Sequence, residues 1–143
     1  LGLMIGMMWG ANASAIDLNP GDILVATAHQ GGDASPDGAG QVLKYDFTNN
    51  QWVQIGPNIG GDIQPSGITI DSELNIIVST AHQGGDASPD GAGRVLRYDA
   101  ENNQWDQIGG NIGGDIQPSG VAVSPSGVLY ATSAHQGGDA SPD

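Results

Sequence analysis

Cysteine is absent from the 143 residues, so no disulfide frame and no thiolate metal site is possible. A cysteine-free chain can still be exported, so the compartment stays open on this count. Cations are scarce too: three Lys and Arg against 16 Asp and Glu give a formal charge of −13. That excludes nucleic acid as a partner, because phosphate backbones demand a basic footprint. Docking on anionic lipid is excluded on the same ground. The balance suits divalent cations and a crowded extracellular medium, and solubility alone accounts for it equally well. No segment carries a helical period. No Gly-X-Y period runs through the 24 glycines, so collagen is excluded. No P-loop or dinucleotide fingerprint occurs, and the GG pairs are turn glycines.

The one marked apolar run, LGLMIGMMWGANASA at residues 1–15, is too short to cross a bilayer as a helix. It ends in Ala13-Ser14-Ala15, the A-x-A pattern that signal peptidase cuts. The expectation is a partial secretory signal peptide of bacterial type, with the mature chain starting near Ile16. That chain is then secreted, periplasmic or extracellular, with no membrane insertion of its own. A buried first strand is the alternative reading of the same run.

What is present is a repeat. AHQGGDASPDGAG begins at Ala28, returns whole at Ala81 and begins again at Ala134, a spacing of 53 residues each time. Aligning residues 28–80 with 81–133 leaves no gap, and 34 of the 53 positions are identical. Such self-similarity dictates the fold. Each unit carries four strand-like runs: GITID or GVAVS, NIIVST or VLYATS, QVLKYD or RVLRYD, and QWVQIG or QWDQIG. Residues 16–27, with DILVAT, supply the end of an earlier unit, and residues 134–143 the start of a later one. The runs are rich in Val, Ile, Leu, Tyr and Trp. DSEL, SPSG, FTNN and AENN between them are turn signals.

Four antiparallel strands in a 40–55-residue repeat describe a β-propeller blade, so the fold class expected is all-β, with residues 16–143 forming part of a propeller. A blade needs a neighbour over each face. Trp52 and Trp105 are therefore expected between blades. Further blades, or further copies of the chain, are needed to close the ring.

The runs PSGITIDSELNIIVST, GRVLRYD and PSGVAVSPSGVLYATS resemble the repeat of NHL-type propellers and of the related gluconolactonase/regucalcin-like and streptogramin-lyase-like propellers. The resemblance covers residues 65–99 and again 118–133. YDAENNQW is also similar to the hairpin between the third and fourth strands of kelch blades, which makes a kelch-like propeller the second choice. The chain departs from the NHL pattern in the longer link between its second and third strands, which is the repeated phrase itself. The enzymes of the gluconolactonase group imply one metal held by unlike Glu, Asn and Asp residues from different blades. No such set is found, and the reading leans away from an enzyme.

In a propeller, that link and the one from the fourth strand to the next first strand, NIGGDIQPSG, emerge on one face. Both are identical in the two copies, whereas residues 68–80 and 121–133 share no identical position. Loops normally vary more than the strands they join. Mutual packing, ligand binding or recombination between copies could each keep them constant.

DASPDG places oxygen-bearing side chains at positions 1, 3 and 5 with Gly at 6, like the front of a calcium loop. The candidate metal residues are Asp33, Ser35 and Asp37, and in the next copy Asp86, Ser88 and Asp90. Position 12 is Lys44 or Arg97, not the bidentate Glu of an EF-hand, and Asp62 or Asp115 could complete the set. The competing reading is a β-turn, in which Asp and Ser cap, Pro fixes φ and Gly supplies positive φ. His29, His82 and His135 end the second strands, and with Asp62, Asp115 and Asp139 they make up the candidate ligand face. The Ser35, His29 and Asp33 combination is too local for a catalytic triad.

The expectation is an exported binding or scaffold module that presents Asp- and Gly-rich loops on one face. Its ligand would be calcium, the one candidate cofactor, or an unidentified protein or glycan. The alternative is a lactonase- or lyase-type enzyme whose catalytic residues lie largely beyond this sequence.

Overall fold

Short apolar runs separated by Asn, Asp and Gly form strands here, with no helix among the described residues. The structure, a computed structural model, describes residues 16–28, 40–59, 63–82, 93–112 and 116–135. Nine strands follow in order: β1 (Leu24–Thr27), β2 (Gly40–Asp46), β3 (Gln51–Ile59), β4 (Ile63–Ile70), β5 (Ile76–His82), β6 (Gly93–Asp99), β7 (Gln104–Ile112), β8 (Ile116–Val123) and β9 (Leu129–His135).

They form three antiparallel sheets of order β1-β2-β3, β4-β5-β6-β7 and β8-β9. The four-stranded expectation is met by the second sheet. Among the described residues the first has three strands and the third has two, and none closes on itself. Tyr45 pairs with Trp52 across β2 and β3, and Tyr98 with Trp105 across β6 and β7. Likewise Ile63 pairs with His82 across β4 and β5, and Ile116 with His135 across β8 and β9.

The turns are built by side chains. After β2, the Asp46 carboxylate accepts from the backbone N–H groups of Thr48 and Asn49 at 2.9 and 3.2 Å. After β6, Asp99 does the same for Glu101 and Asn102. Each hairpin ends on an asparagine of positive φ, Asn50 at 53° and Asn103 at 52°. Asparagine tolerates that conformation better than most residues.

The core lies between the first and second sheets. Val42 and Val78 are fully buried, and Leu18, Ile55, Ile59, Ile76 and Leu96 join them, with Tyr98 and Trp105 packed alongside. Full burial of such a side chain contributes about 1.5–3 kcal/mol. Trp105 meets the expectation of a place between sheets: its indole N–H donates to the Pro57 carbonyl at 3.0 Å. Trp52 does not meet it, being 47% exposed. The difference is one of neighbours: among the described residues, the first sheet has another sheet against one face only.

The pairing registers define two ends. Thr27, Gly40, Ile59, Ile63, His82, Gly93, Ile112, Ile116 and His135 lie at one end, where the repeated phrase leaves and rejoins the sheets. The hairpins 47–50 and 100–103 and the turns 71–75 and 124–128 lie at the other.

Candidate functional site

The links nominated by sequence leave the sheets at the first end. His82 and His135 are the last residues of β5 and β9, as the strand reading placed them. The other nominated residues, His29, Asp33, Ser35, Asp37, Asp62, Asp86, Ser88, Asp90, Asp115 and Asp139, lie outside the described residues.

The feet of these links are described, and they are tightly held. A Cβ built on Gly40 would stand 2.0 Å from Pro65 Cδ and 2.8 Å from the Thr27 carbonyl oxygen. On Gly93 it would stand 2.1 Å from Pro118 Cδ and 2.7 Å from the Thr80 carbonyl oxygen. Only glycine fits under these prolines, which belong to the first strand of the next sheet. Thr80, fully buried, brackets the second foot. Its Oγ1 accepts from the Arg94 backbone N–H at 3.1 Å and lies 3.3 Å from the Arg94 carbonyl. Thr27 and Gln41 repeat the arrangement at the first foot, with an N–H to Oγ1 distance of 3.2 Å.

Neighbouring first strands are also locked. The Ser66 hydroxyl donates to the Pro118 carbonyl at 2.7 Å and lies 3.0 Å from the Ser79 hydroxyl. A Cβ on Gly67 would come within 2.9 Å of Gly120 Cα. This end is therefore a fixed platform from which the acidic links spring. Two of the chain's three cations, Arg94 and Arg97, stand on β6, which follows the second link. Among the described residues, no three His, Asp or Glu side chains converge as a metal site requires.

The opposite end carries two clefts that the sequence reading did not single out. The first, of about 570 Å³, is lined by Asp17, Asp22, Lys44, Tyr45, Phe47 and Tyr98 among others. Lys44 Nζ pairs with Asp22 Oδ2 at 2.7 Å. The hydrogen bond from Lys44, then that from the Asn19 backbone, holds the Asp22 carboxyl below its ordinary 3.8. Burial, then the Asp99 charge, pushes the Tyr98 phenol above 10.0. The second cleft, of about 560 Å³, is lined by Glu73, Asn75, Arg97, Asp99 and Asp106 among others. In the sequence, FTNN and AENN signal turns, and that signal conceals a difference between the copies. Phe47, 61% exposed and set edge-on to Tyr45 at 4.8 Å between ring centroids, stands where the second copy has Ala100.

Compared with known proteins, the chain matches no family model, no curated protein and no solved structure.

Proposed function

We propose that the chain is an exported binding module of β-propeller type. Its blades present the Asp- and Gly-rich links together at one end, and the ligand those links suit is calcium. The observation that carries the reading is the pair of glycine–proline contacts, Gly40 under Pro65 and Gly93 under Pro118. They hold the feet of successive links in one geometry, against the first strand of the next sheet. Links anchored alike and identical in sequence present the same oxygens repeatedly, which suits a repeated ligand better than a single asymmetric reaction centre. Each DASPDG offers two carboxylates and a hydroxyl, hard oxygen donors of the kind calcium takes. The formal charge of −13 favours a cation as well.

The test is thermal unfolding of the full chain in calcium and in chelator, with magnesium as control. A ligand at about a hundred times its Kd adds about 2.7 kcal/mol per site. For a domain of this size that is a rise of roughly 10 °C. Asp33→Asn combined with Asp86→Asn should abolish the rise. Equal melting temperatures in calcium and chelator, with no calcium retained in equilibrium dialysis, would refute the proposal.

A further inference from the structure

The cleft of about 570 Å³ at the hairpin end lies between two sheets. The β2–β3 hairpin forms one wall, and Tyr98 and Asn103 of the β6–β7 hairpin stand on the other. Lys44 and Val53 are cross-strand partners two places along from Val42 and Ile55, and residues two apart on a strand share a face. Val42 and Ile55 are buried in the core against the second sheet. Lys44 and Val53 therefore continue that inner face toward the hairpin, on the side away from Trp52. Val53 is nonetheless 44% exposed, because the cleft opens there. The cleft is also where the two copies diverge. Residues 41–57 and 94–110 differ at six positions, and four of these, Lys44, Phe47, Thr48 and Val53, line the cleft. Scattered drift would not gather them there. The counterparts of the last three are Ala100, Glu101 and Asp106, so the first copy presents apolar or neutral side chains where the second has two carboxylates.

We infer that this cleft binds a small organic cation, an ammonium or guanidinium group carried on an apolar body. Its volume is that of a small-molecule site. Val53 and Ile55 offer the body an apolar wall, and the Tyr98 ring attracts a cation through its π face. Four charged side chains line the cleft, Asp17, Asp22 and Asp46 against Lys44. Lys44 is taken up by Asp22 at 2.7 Å and by the Asp17 carbonyl. The charge left over is that of two carboxylates. Asp46 is ionised at neutral pH, since hydrogen bonds from the Asn49 side chain and backbone hold its carboxyl below 3.8. That balance repels an anion, and the formal charge of −13 repels it from further away. The inference rests on the cleft between two sheets and not on what the links bind.

A nuclear magnetic resonance titration of the full chain with phenethylamine, in chelator, is the test. Phenethyl alcohol and hydrocinnamate serve as its neutral and anionic counterparts. The amine should bind with a Kd of about 1 mM or tighter, an ordinary efficiency for a ligand of its size. It should shift the backbone amides of Val53 and Tyr98, and the alcohol should bind at least about threefold more weakly. Hydrocinnamate should not bind. The preference for amine over alcohol should shrink as salt is raised. Asp17→Asn should weaken the amine about threefold and leave the alcohol unchanged, whereas Val53→Thr should weaken both. Both side chains are exposed, so both variants should fold as wild type does. Asp33→Asn combined with Asp86→Asn should leave amine binding intact, which separates this cleft from the calcium proposal. Absence of amine binding at millimolar concentration overturns the inference. So does an amine affinity equal to that of the alcohol, or one that neither Asp17→Asn nor Val53→Thr changes.

Discussion

The glycine that ends the repeated phrase offers the sharpest test of the packing. In Gly93→Ala the new methyl would lie 2.1 Å from Pro118 Cδ and 2.7 Å from the Thr80 carbonyl oxygen. Ordinary contact begins near 3.4 Å, so one neighbour must retreat by more than an ångström. Neither is the tip of a flexible side chain: one belongs to a prolyl ring, the other to the backbone of β5. Overpacking of a core costs about 1–3 kcal/mol, and two stiff neighbours put this case at the upper end. Reduced freedom of the unfolded chain returns about 0.4–1 kcal/mol. The net loss is about 2 kcal/mol, or roughly 8 °C in melting temperature for a domain of this size. Gly40→Ala, against Pro65 and the Thr27 carbonyl, should lose as much. Gly110→Ala is the control. Nothing lies within 4 Å of its Cβ, and the same entropic gain should leave its melting temperature level or slightly raised. The assay is thermal unfolding by circular dichroism. Pro118→Ala removes part of the obstruction, so the double variant should lose less than the two single losses added together. Equal melting temperatures for Gly93→Ala and Gly110→Ala would refute the clamp.

Two further outcomes follow from the turns. Burial opposes ionisation of Asp71, but hydrogen bonds from the Asn75 side chain and backbone and from the Glu73 N–H outweigh it, and its carboxyl lies below the ordinary 3.8. Asn49 and Asn102 lower Asp46 and Asp99 in the same way. A lowered folded-state value means that the unfolded chain takes up protons first. The stabilisation is therefore complete well above pH 3.8 and fades as pH falls through and below that value. Melting temperature should be level at neutral pH and drop in acid, and Asp71→Ser, the residue of the other copy's turn, should flatten that drop. Gly127, at φ +83°, should lose about 1 kcal/mol on substitution by Ala, because a left-handed conformation penalises any Cβ. A Gly127→Ala melting temperature equal to wild type would contradict this.

Strands were legible because their signal is local. Alternation, β-branched residues and the Asn and Asp turns lie within a few residues of one another, and each of the four runs per repeat became a strand; the first and fourth run on into NIGGDIQPSG, which reads as a link but is strand at 58–59 and 63–67 and again at 111–112 and 116–120. The tryptophans were half legible. Trp52 and Trp105 stand in the same QW context, yet one packs on a neighbouring sheet and the other faces outward. No local pattern tells them apart, because the difference lies in what stands opposite. The clefts at the hairpin end were illegible for a related reason. Asp22, the Lys44–Phe47 stretch and Tyr98 are far apart in sequence, and Tyr98 joins the others only where two sheets meet.

Part of the constancy of the repeated phrase now has a physical cause. Its last glycine, Gly40 or Gly93, touches the proline of the other constant segment, Pro65 or Pro118. The serine and glycine after Pro65 bind the next first strand through Ser66 and Gly67. Constant residues here meet constant residues across a sheet boundary, and a change on one side would need a matching change on the other. The strands escape that constraint. Ile76, Ile77 and Val78 are buried, whereas of their counterparts on β9 Leu129 is half-buried and Tyr130 and Ala131 are exposed, so among the described residues the two runs meet different surroundings. Mutual packing therefore accounts for PSG and for the closing Gly of the phrase. HQGGDASPD lies outside the described residues except at His82 and His135, the last residues of β5 and β9. For those residues the proposed calcium ligand would be a physical reason to hold carboxylates and hydroxyls at fixed spacing, and the calcium titration tests it without disturbing the clamp at Gly40 and Gly93.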